Sequence, residues 1–129
     1  MRYLYLAMER ELLVASQQNG TWQTGSHLVD MQPTCLAVDP IHPARLYCGT
    51  FHRGLWRSSD AGQHWEPVGD AGAAMEPWNG EGIAFNSITS VAVSSAEQVA
   101  GFGVVYAGTE PTALFRSEDG GETWHECKA

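Results

Sequence analysis

The chain has 129 residues, 43% of them hydrophobic, and a formal net charge of −8. That length and apolar content suit one modest globular domain and argue against wholesale disorder. The acidity argues against nucleic acid and anionic membrane surfaces, both of which are met with clustered Lys and Arg, and no stretch approaches the ~20 apolar residues of a membrane span.

Met1-Arg2-Tyr3-Leu4-Tyr5-Leu6-Ala7-Met8 carries one positive charge and a short apolar run before Glu9-Arg10-Glu11. A secretion signal has a longer apolar core and a small-residue cleavage site, so the segment reads as the mature start of a cytoplasmic protein. It also reads as a first strand, Tyr3 to Met8, followed by Leu12 to Ala15 and Trp22 to Thr24. Next come Cys35 to Val38, ending at Asp39-Pro40, then Leu46 to Thr50, Leu55 to Arg57 and Trp65 to Val68. After a long polar and Gly-rich connection follow Ser90 to Val93, Val104 to Thr109, Leu114 to Arg116 and Trp124 to Cys127. All are short, rich in aromatic or β-branched residues, and bounded by Gly, Pro or Asp. No window carries a useful 3.6-residue period.

These strands repeat. Ser58-Ser59-Asp60-Ala61-Gly62-Gln63-His64-Trp65 and Ser117-Glu118-Asp119-Gly120-Gly121-Glu122-Thr123-Trp124 share the pattern Ser-x-Asp-x-Gly-x-x-Trp, here termed the box. A degenerate copy, Ser16-Gln17-Gln18-Asn19-Gly20-Thr21-Trp22, has Gln18 for Asp and is one residue short before its tryptophan. Each serine follows a tyrosine at the same spacing: Tyr5 and Ser16, Tyr47 and Ser58, Tyr106 and Ser117. Two positions past each tyrosine stands a small residue, Ala7, Gly49 or Gly108. Fixed-period self-similarity marks a repeat architecture. The unit is four short strands, A to D, with the box between C and D, which is a propeller blade.

The expected fold is therefore all-β: a partial β-propeller of about three four-stranded antiparallel blades within one domain, 1–129. Blade one (1–29) lacks strand A, blade two covers 30–69, a long loop covers 70–83, and blade three covers 84–129.

The box resembles the Asp-box, or BNR, repeat of sialidases, xyloglucan-cleaving glucanases, sortilin-type receptors and photosystem II assembly factor-like proteins. Ala37-Val38-Asp39-Pro40, Tyr47-Cys48-Gly49-Thr50 and Tyr106-Ala107-Gly108-Thr109 look most like bacterial YVTN/BNR-like repeat proteins. The resemblance implies a structural box: Ser58, Asp60, Gly62 and Trp65, then Ser117, Asp119, Gly121 and Trp124, with Ser16, Gly20 and Trp22 as the degenerate set. Physics agrees. Asp60 and Asp119 suit backbone N–H bonds from their own loop, Gly62 and Gly121 suit positive φ, and Trp65 and Trp124 suit capping by apolar burial. Identical aspartates on successive blades cannot converge on one substrate, so no catalytic residue is assigned.

Alternating strand direction puts the boxes and the A–B loops on one face. The B–C turns and D–A connections share the other, where propeller sites usually gather. Candidate ligand contacts there are His52 and Arg53, Glu110, and Glu76, Trp78 and Glu81 in the long connection. Arg53 is suited to an anion or carboxylate, and Trp78 between two acids to stacking on a sugar or peptide. The alternative for Trp78 is that it pins the loop to the sheet below, and for His52-Arg53 a solvated turn.

Five histidines without paired spacing give no metal site, and no cofactor is implied. Cys35, Cys48 and Cys127 include no CxxC pair and read as free thiols. The functional expectation is a non-catalytic module for protein or carbohydrate binding, or for assembly. Its partners would be further copies of itself or the missing blades of a longer propeller. The alternative is a segment of a sialidase-like glycoside hydrolase whose catalytic residues lie largely outside this chain. Against it, the Arg-Ile-Pro signature near the N-terminus of sialidases is absent.

Overall fold

Runs of Tyr, Val, Leu and Thr closed off by Gly, Pro and Asp become strands throughout the chain. A computed structural model describes residues 2–69 and 82–128, and among these there is no helix. Eleven strands run in chain order: β1 (Arg2–Ala7), β2 (Leu12–Gln18), β3 (Thr21–His27), β4 (Pro33–Val38), β5 (Leu46–Thr50), β6 (Leu55–Ser58), β7 (Glu66–Val68), β8 (Ser87–Val99), β9 (Phe102–Glu110), β10 (Ala113–Ser117) and β11 (His125–Glu126). They form three antiparallel sheets in the orders β1-β2-β3, β4-β5-β6-β7 and β8-β9-β10-β11. The first sheet lacks the strand that β4 and β8 supply to the other two.

Consecutive sheets pack face to face. Leu12 and Val14 of the first meet Cys48 of the second, with Tyr5, Leu36 and Trp65 at the margin. Tyr47, Leu55 and Val68 of the second meet Ile88, Val105, Ala107, Phe115 and Trp124 of the third, and Ile83 joins them ahead of β8. The middle sheet is thus covered on both faces, and β5 is buried at every position. Full burial of a side chain such as Leu55 stabilises by roughly 1.5–3 kcal/mol.

The recurring tyrosine and small residue have a common cause. Positions i and i+2 of a strand share a face, so Tyr47 and Gly49 both look toward the third sheet. A Cβ on Gly49 would lie 2.5 Å from Cys35 Sγ and 2.7 Å from Ile88 Cγ2. Only hydrogen fits there.

Two stretches differ from the expected strands. β8 and β9 run past Val93 and Val104 to a tight hairpin, Val99 opposite Phe102, with Ala100 (φ 50°) and Gly101 (φ 86°) at the turn. A register shift between Val93 and Gln98 interrupts the ladder and hides its continuity from sequence alternation.

The degenerate box does not close as a box. β2 and β3 pair without a break from Leu12↔His27 to Gln18↔Thr21. Asn19 (φ 53°) and Gly20 (φ 79°) make the connection, the pattern of a type I′ hairpin, for which Asn-Gly is the preferred pair. The first sheet is also slipped by one residue against the second. Tyr5 stands opposite Val14, whereas Tyr47 stands opposite Arg57, the residue before the box serine. A one-residue slip exchanges the two faces of a strand. Ser16 and Trp22 therefore take ladder positions, and Trp22 is 47% exposed.

Candidate functional site

The two complete boxes are superimposable in their bonding. Ser58 Oγ donates to Asp60 Oδ1 (2.8 Å) and accepts from Gly62 N (2.8 Å). Asp60 Oδ1 accepts from His64 N (2.9 Å), and the His64 ring Nδ1 lies 2.5 Å from Asp60 Oδ2. Trp65 Nε1 closes the loop on Gly62 O at 2.9 Å. In the third sheet the corresponding distances are 2.9 Å for Ser117 Oγ to Asp119 Oδ1, 2.9 Å for Gly121 N to Ser117 Oγ, and 2.8 Å for Thr123 N to Asp119 Oδ1. Thr123 Oγ1 donates to Asp119 Oδ2 (2.5 Å), and Trp124 Nε1 to Gly121 O (2.8 Å). Gly62 and Gly121 have φ of 92° and 93°, the left-handed backbone that glycine adopts without cost.

Burial alone opposes ionisation of Asp60, but hydrogen bonds from the His64 backbone and ring and from Ser58 outweigh it and hold its carboxyl down to about 2. In Asp119 the same opposition of burial is overcome by Thr123 and Ser117, and its carboxyl is also lowered. Such an acid is a poor proton donor near neutral pH. Both aspartates are occupied by their own turns.

Each box also grips the sheet before it. A Cβ on Gly62 would meet Tyr5 Cε1 at 2.9 Å, and one on Gly121 would meet Tyr47 Cε1 at 3.4 Å. Tyr5 Oη donates to Ala61 O (3.0 Å). At the next junction Arg57 Nη1 takes the equivalent carbonyl, Gly120 O (2.6 Å), and Arg57 also pairs with Glu66 and with Glu122 (2.8 Å). The Tyr47 hydroxyl is left buried with no hydrogen-bond partner among the described residues, and burial pushes it up to about 12.

A shallow cavity of about 320 Å³ lies on this box-bearing side, lined by Arg57, Ser59, Asp60, His64, Trp65 and Glu66. Its charged groups already pair with one another or with Glu122.

The opposite ends of the strands carry the other candidates. Thr50 Oγ1 organises the β5–β6 turn: it donates to Gly54 O (2.6 Å) and accepts from Arg53 N (3.1 Å). Thr109 plays the same part after β9, donating to Pro111 O (2.8 Å). His52, at the turn's tip with φ of 66°, lies against the Phe51 ring, and its Nδ1 is 2.7 Å from Ser87 Oγ. Ser87 stands opposite Glu110 in the β8–β9 ladder, and Gly54 N donates to Asn86 O (2.8 Å). Ser87 thereby brings the turns bearing His52 and Glu110 to one end of neighbouring sheets. Ser87 escaped the sequence reading because the contact spans 35 positions and leaves no local signature. Phe51, His52, Arg53 and Glu110 are exposed. Neither Arg53 nor Glu110 forms an ion pair among the described residues. Glu76, Trp78 and Glu81 lie outside the described residues. Their connection is anchored at its ends, where Ile83 N donates to Gly69 O (2.7 Å).

Among the described residues no group of three or more His, Cys, Asp or Glu is placed to hold a metal ion. No helix there is long and apolar enough to cross a membrane.

Stacked antiparallel sheets of three and four strands, with the same turn recurring between the third and fourth strands of the two four-stranded ones, are those of a partial β-propeller, and solved structures agree. A YCF48 protein bound to D1 peptide matches 96% of this chain and 36% of its own, with a TM-score of 0.64 and 14% identity. A GH74 xyloglucanase from Xanthomonas campestris matches 96% of this chain and 21% of its own, with a TM-score of 0.64 and 28% identity. The GH74 enzyme of Niastella koreensis matches 98% and 20%, again at 0.64, with 22% identity. The chain thus spans between a fifth and just over a third of these proteins. No family model and no curated protein matches it.

Proposed function

We propose that the chain is a non-catalytic binding module built of Asp-box blades, and that its ligand is an extended peptide or protein segment. The ligand lies across the face formed by Phe51, His52, Arg53 and Glu110. The observation that carries this reading is the Phe51–Arg53 turn, which is solvent-exposed yet fixed in place by Ser87 and Thr50. It offers a ring, a guanidinium free of ion pairs among the described residues, and a neighbouring carboxylate. These groups suit the mixed apolar and charged character of a peptide. The YCF48 match, solved with a D1 peptide, supports it. Cys35, Cys48 and Cys127 are all free thiols, which suits a reducing compartment such as the cytoplasm.

A second reading is favoured by the 28% identity to the Xanthomonas enzyme: a segment of a glycoside hydrolase. It requires two carboxylates across a glycosidic bond, about 5–9.5 Å apart. Glu110 would be one, and Glu76 or Glu81 the other.

The test is fluorescence anisotropy against an array of extended peptides, with xyloglucan oligosaccharides alongside. We expect micromolar peptide binding that Arg53→Ala and Glu110→Ala each weaken tenfold or more, about 1.4 kcal/mol, without lowering the melting temperature. Cleavage of the oligosaccharides, or peptide affinity indifferent to both substitutions, would overturn the binding reading.

A further inference from the structure

The β5–β6 turn has spent its main chain on its own surroundings. Phe51 N donates to Gln32 O (3.0 Å), Gly54 N to Asn86 O (2.8 Å) and Arg53 N to Thr50 Oγ1 (3.1 Å). Arg53 O is taken as well, by Trp56 Nε1 at 2.9 Å. Across the junction Glu110 is paired with Ser87 in the β8–β9 ladder, and Thr109 Oγ1 closes the following turn on Pro111 O (2.8 Å). A ligand that arrives as an added strand needs open N–H and C=O groups on its host. Those of Phe51, Arg53 and Gly54 are committed.

Side chains are what this face offers instead. Arg53 and Glu110 are exposed, and neither forms an ion pair among the described residues, with each other or with any other group. Between them lie the rings of Phe51 and His52, their centroids 3.9 Å apart, and Ser87 Oγ holds His52 Nδ1 at 2.7 Å. Arg53 follows His52 in the chain, His52 touches Ser87, and Ser87 faces Glu110. The order across the face is therefore guanidinium, rings, carboxylate. One chain step of about 4 Å, one ladder step of about 5 Å and the side-chain contact between them give a span on the order of 10–15 Å.

We infer, resting on the peptide site proposed above, that the ligand is a charge-coded segment with alternate residues acidic, apolar and basic. The acid meets Arg53, the apolar side chain lies on the Phe51 and His52 rings, and the base meets Glu110. An extended chain rises about 3.3 Å per residue and shows every second side chain on one face. Acid and base four residues apart thus stand about 13 Å apart on the same face, whereas three apart they point to opposite sides. Because the turn does not read the ligand's main chain, acid-first and base-first segments bind alike by lying in opposite directions.

Fluorescence anisotropy with labelled synthetic peptides tests this on the whole chain. The probe is Asp-Ser-Leu-Ser-Lys flanked by serines. We expect it and its Lys-Ser-Leu-Ser-Asp counterpart to bind with similar affinity. Replacing both charges by Asn and Gln, or removing one serine between the charges, should weaken binding at least about tenfold, and raising the salt concentration should weaken the charged probes alone. Arg53→Glu, an exposed substitution checked for folding by circular dichroism, should lose the Asp-bearing probe and regain affinity when its Asp is replaced by Lys. Equal binding of the neutral or shortened peptide, or no recovery by the Lys-for-Asp peptide, would overturn the charge code while leaving a peptide site in place. A chain that binds none of these peptides would overturn the site and the code together.

Discussion

Two tyrosines with the same place in the repeat have opposite hydroxyl environments. Tyr5 Oη donates to Ala61 O, whereas the Tyr47 hydroxyl is buried without a partner among the described residues, Arg57 holding the corresponding carbonyl. Removing a made hydrogen bond costs about 0.5–1.5 kcal/mol, and removing an unsatisfied buried hydroxyl is neutral or favourable. We therefore expect Tyr5→Phe to lower stability by about 1 kcal/mol and Tyr47→Phe to leave it unchanged or raise it, measured by urea unfolding. The box aspartates make an acid-dependent contribution. A carboxyl held below its ordinary value favours the folded state fully above the unfolded value, and that stabilisation is lost as pH falls through the folded one. For Asp60 the interval runs from the ordinary 3.8 down to about 2, and Asp119 shifts in the same direction. The melting temperature should fall across that interval more steeply in the native chain than in an Asp60→Asn, Asp119→Asn double variant. Equal slopes would mean that the aspartates are not ionised partners of their turns.

At the level of the strand, the glycine two positions past Tyr47 is a packing requirement. Gly49→Ala drives a methyl group into Cys35 and Ile88, and overpacking of this kind costs about 1–3 kcal/mol. Chemical denaturation should show that loss, and Cys35→Ala in the same chain should recover part of it by opening space. All eleven strands were legible in sequence, because each is a short β-favouring run with a turn residue at its end, and the tyrosine spacing set their order. The first sheet's turn was misread. Asn19-Gly20 is a hairpin signal in its own right, but the flanking Ser16 and Trp22 resemble a box with one residue missing. That missing residue was the clue, since a box needs its full length for the serine to reach the glycine N–H. The reach of β8 to Val99 was hidden by a register shift that breaks alternation. Of the candidate site, His52, Arg53 and Glu110 were visible as B–C turn residues. Ser87, which brings two of those turns together, belongs to a contact that only the folded chain creates.

For the molecule as a whole, the middle sheet is the keystone. Among the described residues it alone is covered on both sides, and both apolar clusters draw on it through opposite faces of β5: Cys48 toward the first sheet, Tyr47 toward the third. The contacts between sheets run one way along the chain, Tyr5 and Tyr47 each reaching forward to the glycine of the next turn. The same arrangement bears on how such a chain lengthens over generations. The middle unit carries one socket ahead and one plug behind, so a duplicate of it inserted beside it meets neighbours it already fits. Gene duplication in whole tyrosine-to-turn units can extend the array without inventing a new junction, whereas a breakpoint between a tyrosine and its strand partners would leave two misfits at once.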